Sequence, residues 1–365
     1  MKKMLFISNT SNAITNFTIP SIVAAKRLGY EVHLAANYSD FDGINDYGVI
    51  IHHLDIERNP FNFRNLKAYR QLKKVLEKNN FDMIHCNTPV GGVLGRFVGK
   101  KYGIRKIIYS AHGFHFYKGA PLINRSLYWV AEYYMAKMTD ALITINQEDY
   151  EAGKKLNLKA GGKVFYIPGV GIDLDSYQTD ENLRTSLGLS QDDTLLISMG
   201  DLIKRKNYEV AIKALDACQD PSIKYLICGT GPLEDSLKLL VSELGLSKQV
   251  FFLGFRRDVV ALLNTADIFL FTSLQEGLPR STMEAMTSGL PCIVSKIRGN
   301  TDLITQGGFL IDPMDISGFS EAIETLASNK SMMAFMSQFN KEAAKSFDVE
   351  VIKGKMYEIY KEVLE

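Results

Sequence analysis

The chain has 365 residues, 42 Lys and Arg against 41 Asp and Glu, and is 46% hydrophobic and 23% charged. That length and balance exclude disordered and fibrous architectures and predict two packed domains. No apolar run reaches the ~18 residues needed to span a bilayer, and the four scattered cysteines, without a CxxC pair, argue against a disulfide frame or a zinc site and fit a reducing cytoplasm.

The opening Met1-Lys2-Lys3-Met4 followed by LFIS reads as a buried first strand rather than a signal segment, because its apolar run is short. Further strands follow at EVHLA, VIIHH, MIHC, KIIYS, ALITI and KVFYI, with helices over 17–28, 63–78, 91–102, 122–137 and 147–156. The second half repeats the alternation with TLLISMG, KYLIC, VFFLG, IFLFT, CIVS and FLI, and is helical after Gly318. Strands alternating with helices predict parallel sheets covered on both faces. The expected fold is therefore α/β, two Rossmann-like doubly wound domains facing a cleft. The glycine-rich segment 167–178 sets the boundary. The expected domains are 1–170, 171–345, and a C-terminal helix in 346–365 packing back toward the first domain.

Charge divides along the same line. Residues 1–170 hold 23 basic and 13 acidic side chains, a balance of +10, and residues 171–365 hold 19 and 28, a balance of −9. An anionic partner for the first half is expected. In 63–78 the stripe Leu66, Tyr69, Leu72, Leu76 predicts the buried face, leaving Arg64, Lys67, Arg70, Lys74 and Lys78 outward, with Phe61 and Phe63 just before. Cations beside aromatics suit an anionic membrane surface, and no nucleic-acid motif accompanies them. A merely solvated face fits the same pattern.

Ligands in doubly wound folds bind where strands hand over to helices. After the first strand comes Ser8-Asn9-Thr10-Ser11-Asn12, without the glycines of a dinucleotide site. Asn9 and Asn12 fall on the expected acceptor side. His112-Gly113 follows KIIYS, where an imidazole faces ligand and can contact a hydroxyl or carry a proton. His52, His53 and Asp55 alternate along a strand, so a shared metal is not expected. After TLLISMG, which ends at Gly200, Lys204-Arg205-Lys206 precede a helix and predict an anion site for a diphosphate. After IFLFT, Glu276 and Glu284 straddle a Gly277-Leu278-Pro279-Arg280 turn, with Glu284 roughly 6 Å further along the next helix. Two acceptors at fixed separation suit a sugar and a ribose, and the amides of Gly277, Leu278 and Arg280 suit phosphate oxygens.

With Glu276 and Glu284 inside EGLP…EAM…GLP, Lys206-Asn207 after the MG strand, His112-Gly113, Ile297-Arg298-Gly299-Asn300 and Gly171-Ile172-Asp173, the chain resembles a family 4 glycosyltransferase of the GT-B architecture over nearly its whole length. Its flavour is that of bacterial capsular and exopolysaccharide enzymes. The resemblance implies transfer of a sugar from a nucleotide-sugar donor, a UDP-sugar by resemblance alone, to a lipid-linked saccharide, with retained configuration and no metal or other cofactor. It implies a peripheral place on the inner face of the cell membrane. Lys206, helped by Arg205, would stabilise the leaving diphosphate. Glu276 would hold the donor sugar, Glu284 the ribose, and His112 would contact the sugar near the reacting carbon. No first-domain carboxylate stands out as a nucleophile, which favours front-face attack over a covalent intermediate.

Two positions depart from the pattern. Asp201 replaces the Arg that many relatives carry after the phosphate-strand Gly, so Lys204 or Arg205 must compensate, and the loop after the first strand lacks glycine. Asp173-Leu174-Asp175 imitates a metal-binding DxD but falls in the linker. Two other readings remain at this stage: a nucleotide-sugar 2-epimerase on the same architecture, and a non-catalytic nucleotide-sugar-binding scaffold.

Overall fold

The computed structural model describes residues 1–60, 62–117 and 119–365. The chain divides into one unit of Met1–Gly171 with Val349–Glu365 and another of Ile172–Asp348.

The first unit runs β1 (Lys2–Thr10), α1 (Ile19–Arg27), β2 (Tyr30–Asn37), β3 (Ile50–His53), α2 (Asn65–Lys78), β4 (Met83–Asn87), α3 (Pro89–Lys101), β5 (Lys106–Ala111), α4 (Leu122–Ala136), β6 (Ala141–Thr144), α5 (Gln147–Gly153) and β7 (Lys163–Tyr166). Its seven strands are parallel, in the order β3-β2-β1-β4-β5-β6-β7. The central strands are apolar on both faces because helices cover both, which is why they read as unbroken hydrophobic runs. Met4, Leu5, Phe6 and Ile7 of β1 are all inaccessible to solvent. The strand order reverses between β1 and β4, and that switch point opens a crevice at the carboxyl ends of those strands.

The second unit runs β8 (Thr194–Met199), α6 (Tyr208–Cys218), β9 (Ile223–Cys228), α7 (Glu234–Glu243), β10 (Val250–Gly254), α8 (Val259–Thr265), β11 (Ile268–Phe271), α9 (Arg280–Thr287), β12 (Cys292–Ser295), α10 (Asn300–Leu303), β13 (Gly308–Ile311), α11 (Ile316–Ala327) and α12 (Lys330–Ala344). Six parallel strands lie in the order β10-β9-β8-β11-β12-β13, with the reversal between β8 and β11. The expected α/β class, two doubly wound Rossmann-like sheets, is what the chain forms. The last helix, α13 (Val349–Leu364), belongs to the first unit and packs on α1 through Ile352, Met356, Ile359 and Tyr360. Tyr360, fully buried, places its hydroxyl 2.5 Å from His85 Nδ1 on β4.

The buried stripe of α2 differs from expectation. Asn65, Ala68, Leu72 and Leu76 face inward, while Leu66 is 54% exposed. The Asn65 carboxamide explains the rotation: it accepts from the Glu57 amide at 2.9 Å and donates to the Asn59 carbonyl at 2.9 Å, which requires it inside. Burying a hydrogen-bonded amide and exposing a leucine is a local trade that hydrophobic periodicity does not register. Phe63 and the α2 cations are exposed, with Arg64 3.3 Å from Glu57 and Lys67 3.0 Å from Asp55. Phe61 lies outside the described residues.

Candidate active site

In the second unit the site grows from the two loops at the switch point. After β8 the chain passes Gly200, whose φ of +147° a side chain rarely adopts, and a Cβ on neighbouring Gly229 would stand 2.0 Å from the Gly200 carbonyl oxygen. Only glycine permits these strand ends to meet so closely. Lys204–Lys206 then form one 3-10 turn, and Asn207 at φ +55° turns the chain into α6, its side chain donating to the Pro313 carbonyl at 2.8 Å. The β11 loop is stitched to this turn. Thr272 Oγ1 donates to the Asn207 carbonyl, Ser273 Oγ to the Arg205 carbonyl and the Leu274 amide to that same carbonyl, at 2.8 to 3.1 Å.

This framework gathers three donors on one oxygen. Glu276 Oε1 accepts from Arg205 Nη1 at 2.5 Å, from Lys206 Nζ at 2.8 Å and from Ser273 Oγ at 2.8 Å. Lys206 also sits 4.6 Å above the Phe271 ring, and both Lys206 and Glu276 are largely buried. Two cations against one carboxylate leave the cluster a net +1. Lys204 is exposed and joins none of it. The sequence brought these residues into view but not their mutual pairing: the cations expected to await an anion are already engaged by the carboxylate expected to await a sugar.

Glu284, on the first turns of α9, is likewise occupied: Arg280 Nε lies 2.8 Å from its Oε1. Tyr177 joins this pair, and burial, with the Glu284 carboxylate beside it, pushes its phenol pKa well up. Gly277 and Leu278 bridge the two carboxylates. A Cβ on Gly299, at φ +81°, would stand 2.4 Å from the Gly277 carbonyl oxygen, so a glycine is required where that loop crosses. Arg298 Nε donates to the Glu276 carbonyl at 3.0 Å. Arg298 falls in the IRGN run that carries the resemblance but has no role assigned from sequence; Tyr177 carries no such signal.

In the first unit His112 follows β5. Both of its ring nitrogens are buried and neither has a hydrogen-bond partner among the described residues. Buried imidazole nitrogens without a protein partner are uncommon, which marks this ring as one able to bind a polar atom. The ring lines a cavity of about 30 Å³, room for about one water, with Phe17, Ser21, His85, Asn87 and Ser110. Phe17 packs on His112 with ring centroids 5.5 Å apart, and Asn16 Nδ2 donates to the Gly171 carbonyl at 3.0 Å. The glycine-free loop after β1 thus contributes Asn16 and Phe17 to this pocket. Asn12 is exposed, its carbonyl accepting from the Asp42 amide. Asn9 is buried, and its side-chain oxygen accepts from Thr88 Oγ1 at 2.7 Å and the Gly91 amide at 2.8 Å. Those bonds hold Thr88 at φ +66°, a strained turn for a β-branched residue, so Asn9 shapes the start of α3.

Burial depresses His112 to a pKa of about 4; burial, and then the neighbouring His112, depresses His85 to about 3. Both lie below the ordinary histidine value, so the unfolded chain protonates first on acidification. The associated stability is full above about pH 6.5 and falls toward pH 4. From pH 6.5 to 5.5 the first unit is expected to lose about 1 kcal/mol per imidazole, read as a falling urea midpoint that His112→Asn flattens. An unchanged slope in that variant would show that His112 is solvated.

His52 pairs with His33 at 2.8 Å while His53 faces Asp55 at 3.4 Å, so these side chains share no centre. Asp173 precedes and Asp175 lies within a 3-10 turn over Leu174–Tyr177, both carboxylates exposed. Among the described residues no three His, Cys, Asp or Glu side chains stand together as a metal site requires, and no helix is long and apolar enough to cross a membrane.

Comparison with known proteins places this geometry. A family model described as group 1 glycosyl transferases matches residues 179–345, and a glycosyl transferase 4-like model matches residues 3–146. Protein EpsD of Bacillus subtilis (strain 168), named as a glycosyltransferase, is 35% identical over 98% of this chain and 96% of its own. The Escherichia coli UDP-Gal:alpha-D-GlcNAc-diphosphoundecaprenol alpha-1,3-galactosyltransferase is 29% identical over 83% of this chain and 81% of its own. The crystal structure of Anabaena Alr3699/HepE in complex with UDP and glucose superposes with a TM-score of 0.81 at 22% identity, over 99% of this chain and 100% of that one. Two switch-point sheets, matched end to end by these relatives, make the chain a member of the family 4-like, group 1 glycosyltransferases of the GT-B fold.

Proposed function

We propose that this glycosyltransferase moves a sugar from a UDP-sugar to a lipid-linked saccharide at the inner face of the cell membrane, with retained configuration and without a metal. The observation that carries the donor reading is the convergence of Arg205, Lys206 and Ser273 on one Glu276 oxygen. A donor diphosphate exchanges the cations' carboxylate partner for phosphate oxygens, and in doing so frees Glu276 to accept from sugar hydroxyls. Binding and sugar capture are then one event, and the engaged cations meet negative charge as it grows on the leaving phosphate. Glu284, released from Arg280 in the same way, takes the ribose hydroxyls. The amides of Gly277, Leu278 and Arg280 and the close-packed turn at Gly200 line the diphosphate. His112, neutral at physiological pH, offers its free nitrogens to a saccharide hydroxyl at the first unit's own pocket.

The nucleotide and acceptor classes are supported by the E. coli relative, whose name gives UDP-Gal and a diphosphoundecaprenol-linked GlcNAc, and by the UDP bound in the Anabaena structure. The exposed cations of α2, with Phe63 before them, support attachment to anionic lipid; no nucleic acid is part of this reading.

The test is a thermal-shift screen of common nucleotide sugars followed by hydrolysis of the best donor. A UDP-sugar at 100 times its Kd should stabilise the protein by about 2.7 kcal/mol and be cleaved slowly to UDP and free sugar. Return of an altered nucleotide sugar would replace transfer with epimerisation, and binding without turnover would leave a scaffold. Chelator is expected to leave the hydrolysis rate unchanged. A loss restored by manganese would assign the phosphate charge to a metal rather than to Lys206.

A further inference from the structure

The helix α4 is built the wrong way round for water. Its residues Leu122, Ile123, Leu127, Trp129, Val130 and Tyr134 are all exposed, Leu122 at 78% and Ile123 at 83%. At 100° per residue these positions share one broad arc, where a surface helix carries its polar residues. The only acid on the helix, Glu132, turns inward to Arg96, and its one basic residue, Arg125, is exposed off that arc. Lys137 closes the helix with its ammonium 4.8 Å over the Tyr133 ring and 5.4 Å from that of Tyr134. An apolar face this broad, interrupted by Ser126, marks a surface that meets another phase or partner.

Its neighbours decide which. Helices α2, α3 and α4 pack in series on one side of the first sheet, and Val93 and Phe97 of α3 extend the exposed apolar surface. Along α2 lie five basic residues (Lys67, Arg70, Lys73, Lys74, Lys78) against one acid, Glu77, and α3 ends in exposed Lys100 and Lys101. Apolar side chains and interfacial Trp and Tyr beside a band of cations are the composition of an element lying in the headgroup boundary of anionic lipid. A second copy of the chain would bring the two cationic bands together, which disfavours that occupant.

We infer that α4 is the insertion element of this enzyme: its Leu122–Tyr134 face enters the acyl boundary of an anionic bilayer while α2 and the end of α3 hold headgroup phosphates. The inference rests on the membrane placement proposed above and deepens it, because attachment by α2 alone would be electrostatic and superficial. It is independent of the donor chemistry.

The chain contains a single tryptophan, Trp129, so fluorescence reads this face directly. The full-length protein is mixed with phosphatidylcholine vesicles containing about one-third phosphatidylglycerol, with and without bromine on the acyl chains. A blue shift and quenching by the brominated lipid are expected. Ile123→Glu/Val130→Glu should weaken vesicle partition by about tenfold or more with circular dichroism unchanged and donor hydrolysis retained. Lys74→Gln/Lys78→Gln should weaken binding at low salt and lower its sensitivity to salt, yet leave the bound fraction quenchable. Sedimentation with vesicles but no quenching would confine contact to α2 and overturn the inference. So would a concentration-dependent blue shift without lipid, accompanied by a dimer in ultracentrifugation. If no UDP-sugar is hydrolysed while quenching persists, the donor reading fails alone.

Discussion

Lys206→Ala should lower kcat/KM for sugar transfer by about 10³-fold, and Glu276→Gln by about 10²-fold, with different signatures. Lys206 is the most enclosed cation of the cluster, held between the Phe271 ring and the glycine floor at Gly200. Its ammonium needs no reorganisation as charge develops on the diphosphate, and loss of one such pre-placed group costs about 3–4 kcal/mol of transition-state stabilisation. Lys206→Ala should therefore weaken UDP itself as well as slow turnover. Glu276→Gln keeps an acceptor and the loop shape but releases Arg205 and Lys206 from a counter-charge. UDP affinity should hold or rise while sugar transfer falls, a split that a simple folding defect cannot produce. Because both residues act through one carboxylate oxygen, the double variant should lose much less than the product of the single losses. Lys206→Ala within threefold of wild type would remove the diphosphate from this turn.

The pairing behind that prediction shows where sequence reading stops. Strand–helix alternation and unbroken apolar runs gave both sheets, because burial on two faces leaves a one-dimensional trace. Handover positions pointed to His112 in the first unit and to Lys206, Glu276 and Glu284 in the second, because a doubly wound topology determines which loops lie at each sheet's carboxyl edge. What those side chains do to each other is a matter of angstroms between loops about 70 residues apart, and no spacing encodes it. The Tyr360–His85 contact spans 275 positions. Leu66 and Asn65 exchanged places because the Glu57 amide and Asn59 carbonyl needed a buried partner, information held in a loop and not in the helix. The periodicity of 122–137 reported a helix correctly but was silent on whether anything covers its apolar arc.

That helix carries the second large effect. Among the described residues of α4 only Ala136 is fully buried, with Tyr128, Glu132, Tyr133 and Met135 part-buried, so hydrophobic contact alone anchors it weakly. The principal fixing point is Glu132, which meets Arg96 of α3 bidentately at 2.7 and 2.9 Å. Arg96 is 1% exposed; its Nε donates to the Gly92 carbonyl and its guanidinium lies 3.9 Å over the Tyr109 ring. Glu132→Ala strands that guanidinium in the core and should cost about 3–5 kcal/mol, whereas Arg96→Met/Glu132→Leu, which removes both charges, should fall near neutral. Such a loss lowers Tm by about 10 °C for a unit of this size, and amides of 122–136 should exchange first because α4 is the element released. Loosened α4 should in turn lose its hold on lipid while donor hydrolysis in the second unit persists. A Glu132→Ala cost below about 1 kcal/mol would mean that water reaches Arg96 and that the pair does not anchor the helix.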